Sequence, residues 1–410
     1  MRTQRILCAL QDFLRPAFRP SPKRSPGGGA RSVRRGARNT PPLLSPPHAR
    51  KPASHPTEHA HGGATSTPGL TPPSARVPDP CRALAAWGWA AGLLLLLALP
   101  ASAQDIPKAM VRCAQCLAED YDGLVLSYPN RVNVDPVRRE VYVTDSGHGR
   151  IVVYTHDFFP LLSIGRADGV VAPSGLAVDA EGYLFVAQRP SKEERRARIT
   201  VLDPALGRVR DIFFSGFRGA ETFEPRALAL GAGGELYVAG AEHRGLLVLD
   251  RQGNYLRQIR PEDHLGKQAP EKALVCDVAV GPSGALYLLS EEMGRVYVYD
   301  AQERPVRRMG AKGGGPGKLS RPRGLAVDEA EGRLYVIDYM RHTANAYSLE
   351  GELLFEFGGK GVVRGWFQFP NDIAVDPAGN VLVADTFNNR VQVLLVRESE
   401  GDDDLLGVRP

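Results

Sequence analysis

The clearest pattern in this 410-residue chain is a short alternation of apolar and small or polar positions that stops and restarts at a regular interval. Between residues 120 and 396 the alternating stretches are short and end at clusters of Asp, Pro, Gly and Asn. Period-two alternation bounded by turn residues predicts β-strands, and no stretch there shows the apolar spacing of a helix. One phrase opens each unit. It reads Pro173-Ser174-Gly175-Leu176-Ala177-Val178-Asp179, Pro225-Arg226-Ala227-Leu228-Ala229-Leu230, Pro322-Arg323-Gly324-Leu325-Ala326-Val327-Asp328 and Pro370-Asn371-Asp372-Ile373-Ala374-Val375-Asp376. Weaker copies start at Pro129 and Val275, so six copies begin at 129, 173, 225, 275, 322 and 370, with spacings of 44 to 52 residues.

Each copy divides into the same pieces. In the last, Asp372–Val375 alternates, Asp376–Asn380 turns, Val381–Asp385 is a second strand, and Arg390–Leu394 a third. The fifth copy supplies a clear fourth strand in Gly351–Gly358. Four strands per unit at this period predict an all-β fold, a six-bladed β-propeller of four-stranded blades. Small residues in each first strand (Gly175, Ala177, Gly324, Ala326) suit the crowded axis. Larger ones (Phe213, Phe214, Phe355, Phe357) suit the outer edge, where blades splay and more volume must be filled. The sixth copy runs into Arg397-Glu398-Ser399-Glu400-Gly401-Asp402, a poor fourth strand. The ring is therefore expected to close through an N-terminal strand, Asp122–Ser127, that completes the last blade.

The phrase Pro-x-Gly-φ-Ala-Val-Asp, then Leu-Tyr-Val-x-Asp, then Asn-Arg-Val-Gln-Val resembles the NHL repeat, with PNDIAVDPAGNVLVADTFNNRVQVL at 370–394 as the closest copy to consensus. The resemblance spans about 270 residues and is specific for fold, not for function. It implies a propeller of a kind found in ubiquitin ligases, RNA-binding regulators, an amidating lyase and exported proteins. No RING or B-box array of Cys and His precedes the repeats, so the ligase role has no support here.

Charge and the front of the chain narrow the choice. Lys and Arg number 51 and Asp and Glu 46; residues 1–82 hold 14 and 3 of these, leaving 37 and 43 in residues 83–410. The basic excess belongs to the Pro/Arg/Gly-rich segment 1–82, which reads as disordered. The repeats are net acidic, which argues against a nucleic-acid partner. Residues 83–103 contain an uncharged apolar run, Leu84–Leu99, followed by Ala101-Ser102-Ala103, and read as a signal peptide cleaved before Gln104. The rival is a membrane anchor. Sixteen residues span only about 24 Å as a helix, against a hydrocarbon core of about 30 Å. A periplasmic or secreted location is expected, or a propeller anchored outside the cytoplasm, with membrane contact only through an uncleaved segment. Residues 104–119 form a linker with the pair Cys113 and Cys116, 120–396 the propeller, and 397–410 an acidic tail. An exported C-x-x-C without a second pair is a disulfide candidate, or a redox-active pair.

The resemblance places the residue after each repeat proline at one mouth of the channel: Asn130, Ser174, Arg226, Cys276, Arg323 and Asn371. Loops between second and third strands add His148, His243, Arg341, His342, Asn388 and Asn389. Arg226 and Arg323 are candidate bidentate donors to an anionic group. The amidating lyase's histidines directly after the proline have no counterpart here. A zinc trio of His148, His243 and His342, or a hard-cation set of Asn130, Asn371, Asp372 and Glu224, would carry an alternative function as a metal-dependent lyase or lactonase-like hydrolase. The favoured expectation is a binding scaffold with no cofactor and no catalytic or metal residues. Its partner would be a protein, peptide or glycan on one face, and the chain itself monomeric or part of a hetero-complex.

Overall fold

The computed structural model describes residues 109–398. The segments 1–82 and 83–103, and most of the acidic tail, lie outside the described residues. Six four-stranded antiparallel sheets follow one another in the order the repeats predict. Blade 1 comprises Pro129–Val134, Val141–Asp145, Arg150–Tyr154 and Pro160–Ile164. Blade 2 comprises Pro173–Val178, Leu184–Gln188, Arg198–Leu202 and Arg208–Phe213. Blade 3 is Pro225–Leu230, Leu236–Gly240, Leu246–Leu249 and Tyr255–Ile259; blade 4 is Asp277–Val280, Leu286–Ser290, Arg295–Tyr299 and Pro305–Met309. Blade 5 is Pro322–Asp328, Arg333–Asp338, Thr343–Ser348 and Leu353–Gly358. Blade 6 combines Asp372–Val375, Val381–Asp385 and Arg390–Glu398 with the N-terminal strand Ala109–Leu117.

An N-terminal strand does close the ring, but it is not the one expected from sequence. Ala109–Leu117, read above as linker, pairs antiparallel with Arg390–Glu398. Residues 122–127 lie outside the sixth sheet, in a tight loop where Asp120 accepts from the backbone N–H groups of Asp122 and Leu124. The reason is reach. Each fourth strand ends at the rim, and the chain must return to the axis before the next blade begins; elsewhere this crossing takes 8 to 17 residues. A strand at 122–127 would leave only Tyr128 to make the crossing, whereas a strand ending at Leu117 leaves eleven residues.

The core is a ring of six apolar clusters, one between each pair of adjacent blades. No blade buries both faces alone, so stability is collective. Phe355, Phe357 and Phe367 fill the wide outer gap between blades 5 and 6. Near the axis the spacing reverses. A Cβ on Gly324 would lie 2.8 Å from the Cα of Asp372, so only glycine fits there.

The repeat proline has a geometric role. In blades 1, 2, 3 and 5 the first two strands slip register between the proline and the second residue after it. Such a bulge aims one side chain away from the ladder at a strand end. In blades 1, 5 and 6 the acid that ends the second strand is buried and clamps the incoming loop. Asp145 accepts from Ser127 N at 2.7 Å, Asp338 from Arg321 N at 3.1 Å, and Asp385 from Gln368 N at 2.6 Å.

Candidate functional site at the channel mouth

Second-to-third-strand loops and blade-to-blade crossings share one face of the ring, here termed the mouth face. Below its rim Arg131, Gly175, Ala227, Asp277 and Asp372, each the second residue after the start of its repeat, line the axis. Arg131 comes from blade 1 and is buried. Its Nη1 donates to Asp277 Oδ1 at 2.8 Å and Asp372 Oδ1 at 3.3 Å; Nη2 donates to Arg226 O at 3.1 Å, and Nε to Ser174 O at 3.3 Å. The second oxygen of Asp277 accepts from Leu325 N at 2.9 Å, and that of Asp372 from Val132 N at 3.0 Å. One guanidinium and two carboxylates thus join all six blades. This plug separates the mouth from a channel cavity of about 330 Å³, lined further along by Val134, Val178, Leu230, Val280, Val327 and Val375.

Burial raises the Asp372 carboxyl to about 7, opposed by the charge of Arg131 and reinforced by that of Asp277. Asp277 shifts upward too, burial again being the main cause and Arg131 the main opposition. A carboxyl whose folded pKa exceeds its unfolded value of about 3.9 takes up a proton on folding, so its contribution to stability grows as pH falls. Glu291 behaves oppositely. Burial alone would raise its carboxyl, but hydrogen bonds from Arg321 and Arg226 and the charge of Arg323 hold it below the ordinary range. Its contribution is full above about pH 4.3 and is lost as pH falls through its folded pKa. The melting temperature is therefore expected to rise by a few degrees between about pH 8 and pH 5 and to fall below about pH 4. Asp372→Asn should flatten the rise. A wild-type melt that declines steadily from pH 8 to pH 5 would contradict this charge arrangement.

Four of the expected residues meet at the rim. Asn371 Nδ2 donates to Asn130 O at 3.0 Å, and Arg323 Nη1 donates to Asn371 Oδ1 at 3.1 Å. Arg226 Nη2 reaches Glu291 Oε2 at 3.0 Å, Arg323 Nε stands 3.8 Å from the same oxygen, and Arg321 Nε bonds Oε1. Glu291 was not among the sequence candidates. It occupies the position just after the second strand, where the other blades carry Ser146, Arg189, Ala241, Tyr339 and Thr386; comparing that column across copies would have found it. Its carboxylate occupies the guanidinium fork that an external anion would need.

The loop candidates are not brought together. His148 Nδ1 bonds Asp145 at 2.8 Å, Asn388 Nδ2 donates to the same acid position of its own blade, Asp385, at 2.8 Å, and Arg341 pairs with Glu356 at 2.7 Å. His243 contacts Gln258 and packs on Phe223 at 5.4 Å, while His342 Nδ1 accepts from Phe369 N at 2.9 Å. Burial lowers the pKa of both His243 and His342. Among the described residues no three His, Cys, Asp or Glu side chains form a group that could hold a metal ion. Asp372, one of the two acids of the hard-cation set, faces the Arg131 guanidinium.

Beside the polar rim runs an aromatic arc the sequence reading missed. Tyr128 meets Phe387 edge-on at 5.5 Å, Phe387 meets Phe369 at 5.0 Å, and Phe369 meets Tyr339 at 5.0 Å. Arg323 lies over Tyr339, 4.1 Å from the ring centre. Tyr128, Arg321 and Phe369 all directly precede a repeat proline, and that column is the signal that would have revealed them. Tyr128 is 51% exposed and Phe387 46%. Met340, Val362, Val363 and Trp366 are exposed on neighbouring loops of blades 5 and 6, as are Tyr121, Leu124 and Val125 on the crossing to blade 1.

Residues 367–394, the end of the crossing into blade 6, its first two strands and the start of the third, match the family model of the NHL repeat. The protein is a six-bladed β-propeller whose sixth blade carries an NHL repeat. No curated protein matches its sequence. Solved structures similar to the NHL propeller include a protein of unknown function from Bacteroides thetaiotaomicron VPI-5482, with 12% identity, TM-score 0.53, and coverage of 71% of this chain and 77% of that one. An auxiliary nutrient binding protein from Bacteroides ovatus ATCC 8483 gives 15% identity, TM-score 0.52, and coverage of 71% and 78%. A second auxiliary nutrient binding protein, from Bacteroides thetaiotaomicron VPI-5482, gives 12%, 0.50, 71% and 77%. At these identities the likeness is one of fold.

Proposed function

We propose that this NHL propeller is a binding scaffold that docks a protein or peptide partner on the mouth face, across blades 5, 6 and 1. The observation that carries the reading is the aromatic arc Tyr128–Phe387–Phe369–Tyr339 with Arg323 stacked on its end. Large aromatics and arginine supply most of the energy at protein interfaces, and rigid rings lose little entropy when a partner orders them. Exposed apolar side chains concentrate on this side of the mouth. Blades 2, 3 and 4 carry none of the large exposed apolar residues on their mouth-face loops. An apolar patch rimmed by polar groups is the usual mark of an interaction site. Two structures sharing the fold are named as nutrient binding proteins, which agrees with a binding role. The plug makes a route for ligand through the channel from the mouth unnecessary to the reading, since the partner sits on the rim.

The test compares two double variants of the full chain for capture of a partner from the source organism. Met340→Ala with Phe387→Ala removes two exposed side chains of the mouth face; Val137→Ala with Phe159→Ala removes two from the opposite face. All four are exposed, so each melt should stay near wild type. Capture should fall at least about tenfold for the first pair and stay unchanged for the second. Equal losses, or no loss from the mouth-face pair, would sink the proposal.

A further inference from the structure

We propose that Cys113 and Cys116, on the strand that closes the ring, form a thiol–disulfide exchange site for disulfide substrates, with Cys116 as the attacking sulfur. In a regular strand, residues three apart point to opposite faces. Here the ladder slips by one residue between Cys113 and Gln115, so Cys113 stands opposite Leu394 and Cys116 opposite Gln392. Leu394 and Gln392 are two apart on an unbroken strand and share a face. The bulge therefore turns both cysteines to one face, with their Sγ atoms 3.6 Å apart. Neither thiol is fully buried.

The surroundings separate the two sulfurs. The two sulfurs share a hydrogen bond, and the Cys113 thiol also reaches Gln115 O at 3.2 Å. That contact with Cys113 is the main cause that lowers Cys116 to about 6; burial opposes it, Arg390 and Arg364 assist, and Asp385 opposes. The same bond, with burial, keeps Cys113 protonated. Arg390 is fixed in place, with Nε on Asp385 at 2.8 Å and Nη2 on Val363 O at 3.0 Å. Gln392, opposite Cys116, donates to Trp366 O at 2.8 Å and accepts from Gly365 N at 2.8 Å. The loop carrying Arg364 is thus tied to the strand beneath the pair. A low-pKa, accessible thiolate beside cations, with a second thiol in reach, has the properties of an attacking cysteine and its resolving partner.

The Cys116 thiolate attacks one sulfur of a substrate R–S–S–R′, forming a mixed disulfide with R and releasing R′–S⁻. Cys113 loses its proton to R′–S⁻ and attacks Cys116 Sγ. The Cys113–Cys116 disulfide forms and R–S⁻ leaves. Two electrons pass from the pair to the substrate, which departs as one thiol and one thiolate, and an external dithiol reverses the process.

Oxidised glutathione serves as the probe, on reduced full-length protein. Trypsin cuts after Arg112 and Arg131, so one peptide, 113–131, carries both cysteines and none of the other three. Mass analysis should show that peptide passing from dithiol to internal disulfide as the glutathione mixture is made more oxidising, and returning when it is made reducing. Cys113→Ala should trap glutathione on Cys116, and Cys116→Ala should slow capture at Cys113 at least about tenfold. In wild type, iodoacetamide should label Cys116 with half-maximal rate near pH 6, against about 8.5 for an ordinary thiol. The wild-type profile decides the matter even if a variant fails to fold. A half-maximum at the ordinary value would overturn the proposal, as would equal capture by the two variants or a pair that resists both mixtures.

Discussion

A chain shortened to begin at residue 119 is expected to lose its cooperative melt, while one beginning at residue 104 keeps it. The deletion removes the whole outer strand of blade 6, Ala109–Leu117, which pairs with Arg390–Glu398 from Ala109↔Glu398 to Leu117↔Val391. It takes away Leu117, buried between blades 6 and 1, and Val111 and Cys113, packed between blades 5 and 6. It leaves a bare strand edge and an opened ring. A typical domain is stable by only about 5–15 kcal/mol, and truncating one buried leucine costs about 2–5 kcal/mol. Loss of the strand should therefore consume the whole margin. Circular dichroism melts and a protease time course would measure it. The shorter chain retains residues 122–127, so a native melt from it would show that those residues can close the ring after all.

Arg131→Met is expected to cost about 3–5 kcal/mol, the usual penalty for leaving buried carboxylates without their counter-charge. That corresponds to a melting point lower by roughly 10 °C for a domain of this size. The loss should shrink as pH falls toward 5, because Asp277 and Asp372 lie in a site that already favours their neutral forms. It should also shrink when Asp277→Asn and Asp372→Asn accompany it, since the apolar and neutral polar replacements leave no buried charge to compensate. If Arg131→Met alone melts like wild type at pH 8, the plug does not hold the ring, and the six-blade network at the axis is incidental.

The propeller was legible because its repeat is written in side-chain size. Small residues such as Gly175 and Gly324 recur where backbones approach at the axis, and a fixed period separates them. The closing strand was harder to read. Ala109–Leu117 carries Arg112, two cysteines and Gln115 in place of a clean apolar alternation, because an outer strand is largely open to solvent and a bulge shifts its phase. Asp122–Ser127 looks more like a strand, yet cannot reach from rim to axis. At the rim, the structure brings together Asn130, Arg226, Arg323 and Asn371 from the column after the proline. What escaped were groups defined by three-dimensional closure. Arg131 meets Asp277 from across the ring, 146 positions away, and Glu291 gathers arginines from blade 3 and from the crossing into blade 5. The histidines have separate partners: His148 bonds Asp145 in its own loop, His243 contacts Gln258 on the outer strand of its blade, and His342 accepts from Phe369 N in the crossing to blade 6.

The role of the mouth face is tested most directly by photo-crosslinking from two positions of the full-length protein in extract of its source organism. A benzophenone side chain at Met340 samples the apolar side of the mouth, and one at Phe159 samples the opposite face. A discrete adduct from position 340, absent from position 159 and lost when Phe387→Ala and Trp366→Ala are added, is the expected result. Adducts of equal yield from both faces, or an adduct at 340 indifferent to loss of the aromatic side chains, would mean that the arc is not where this propeller binds.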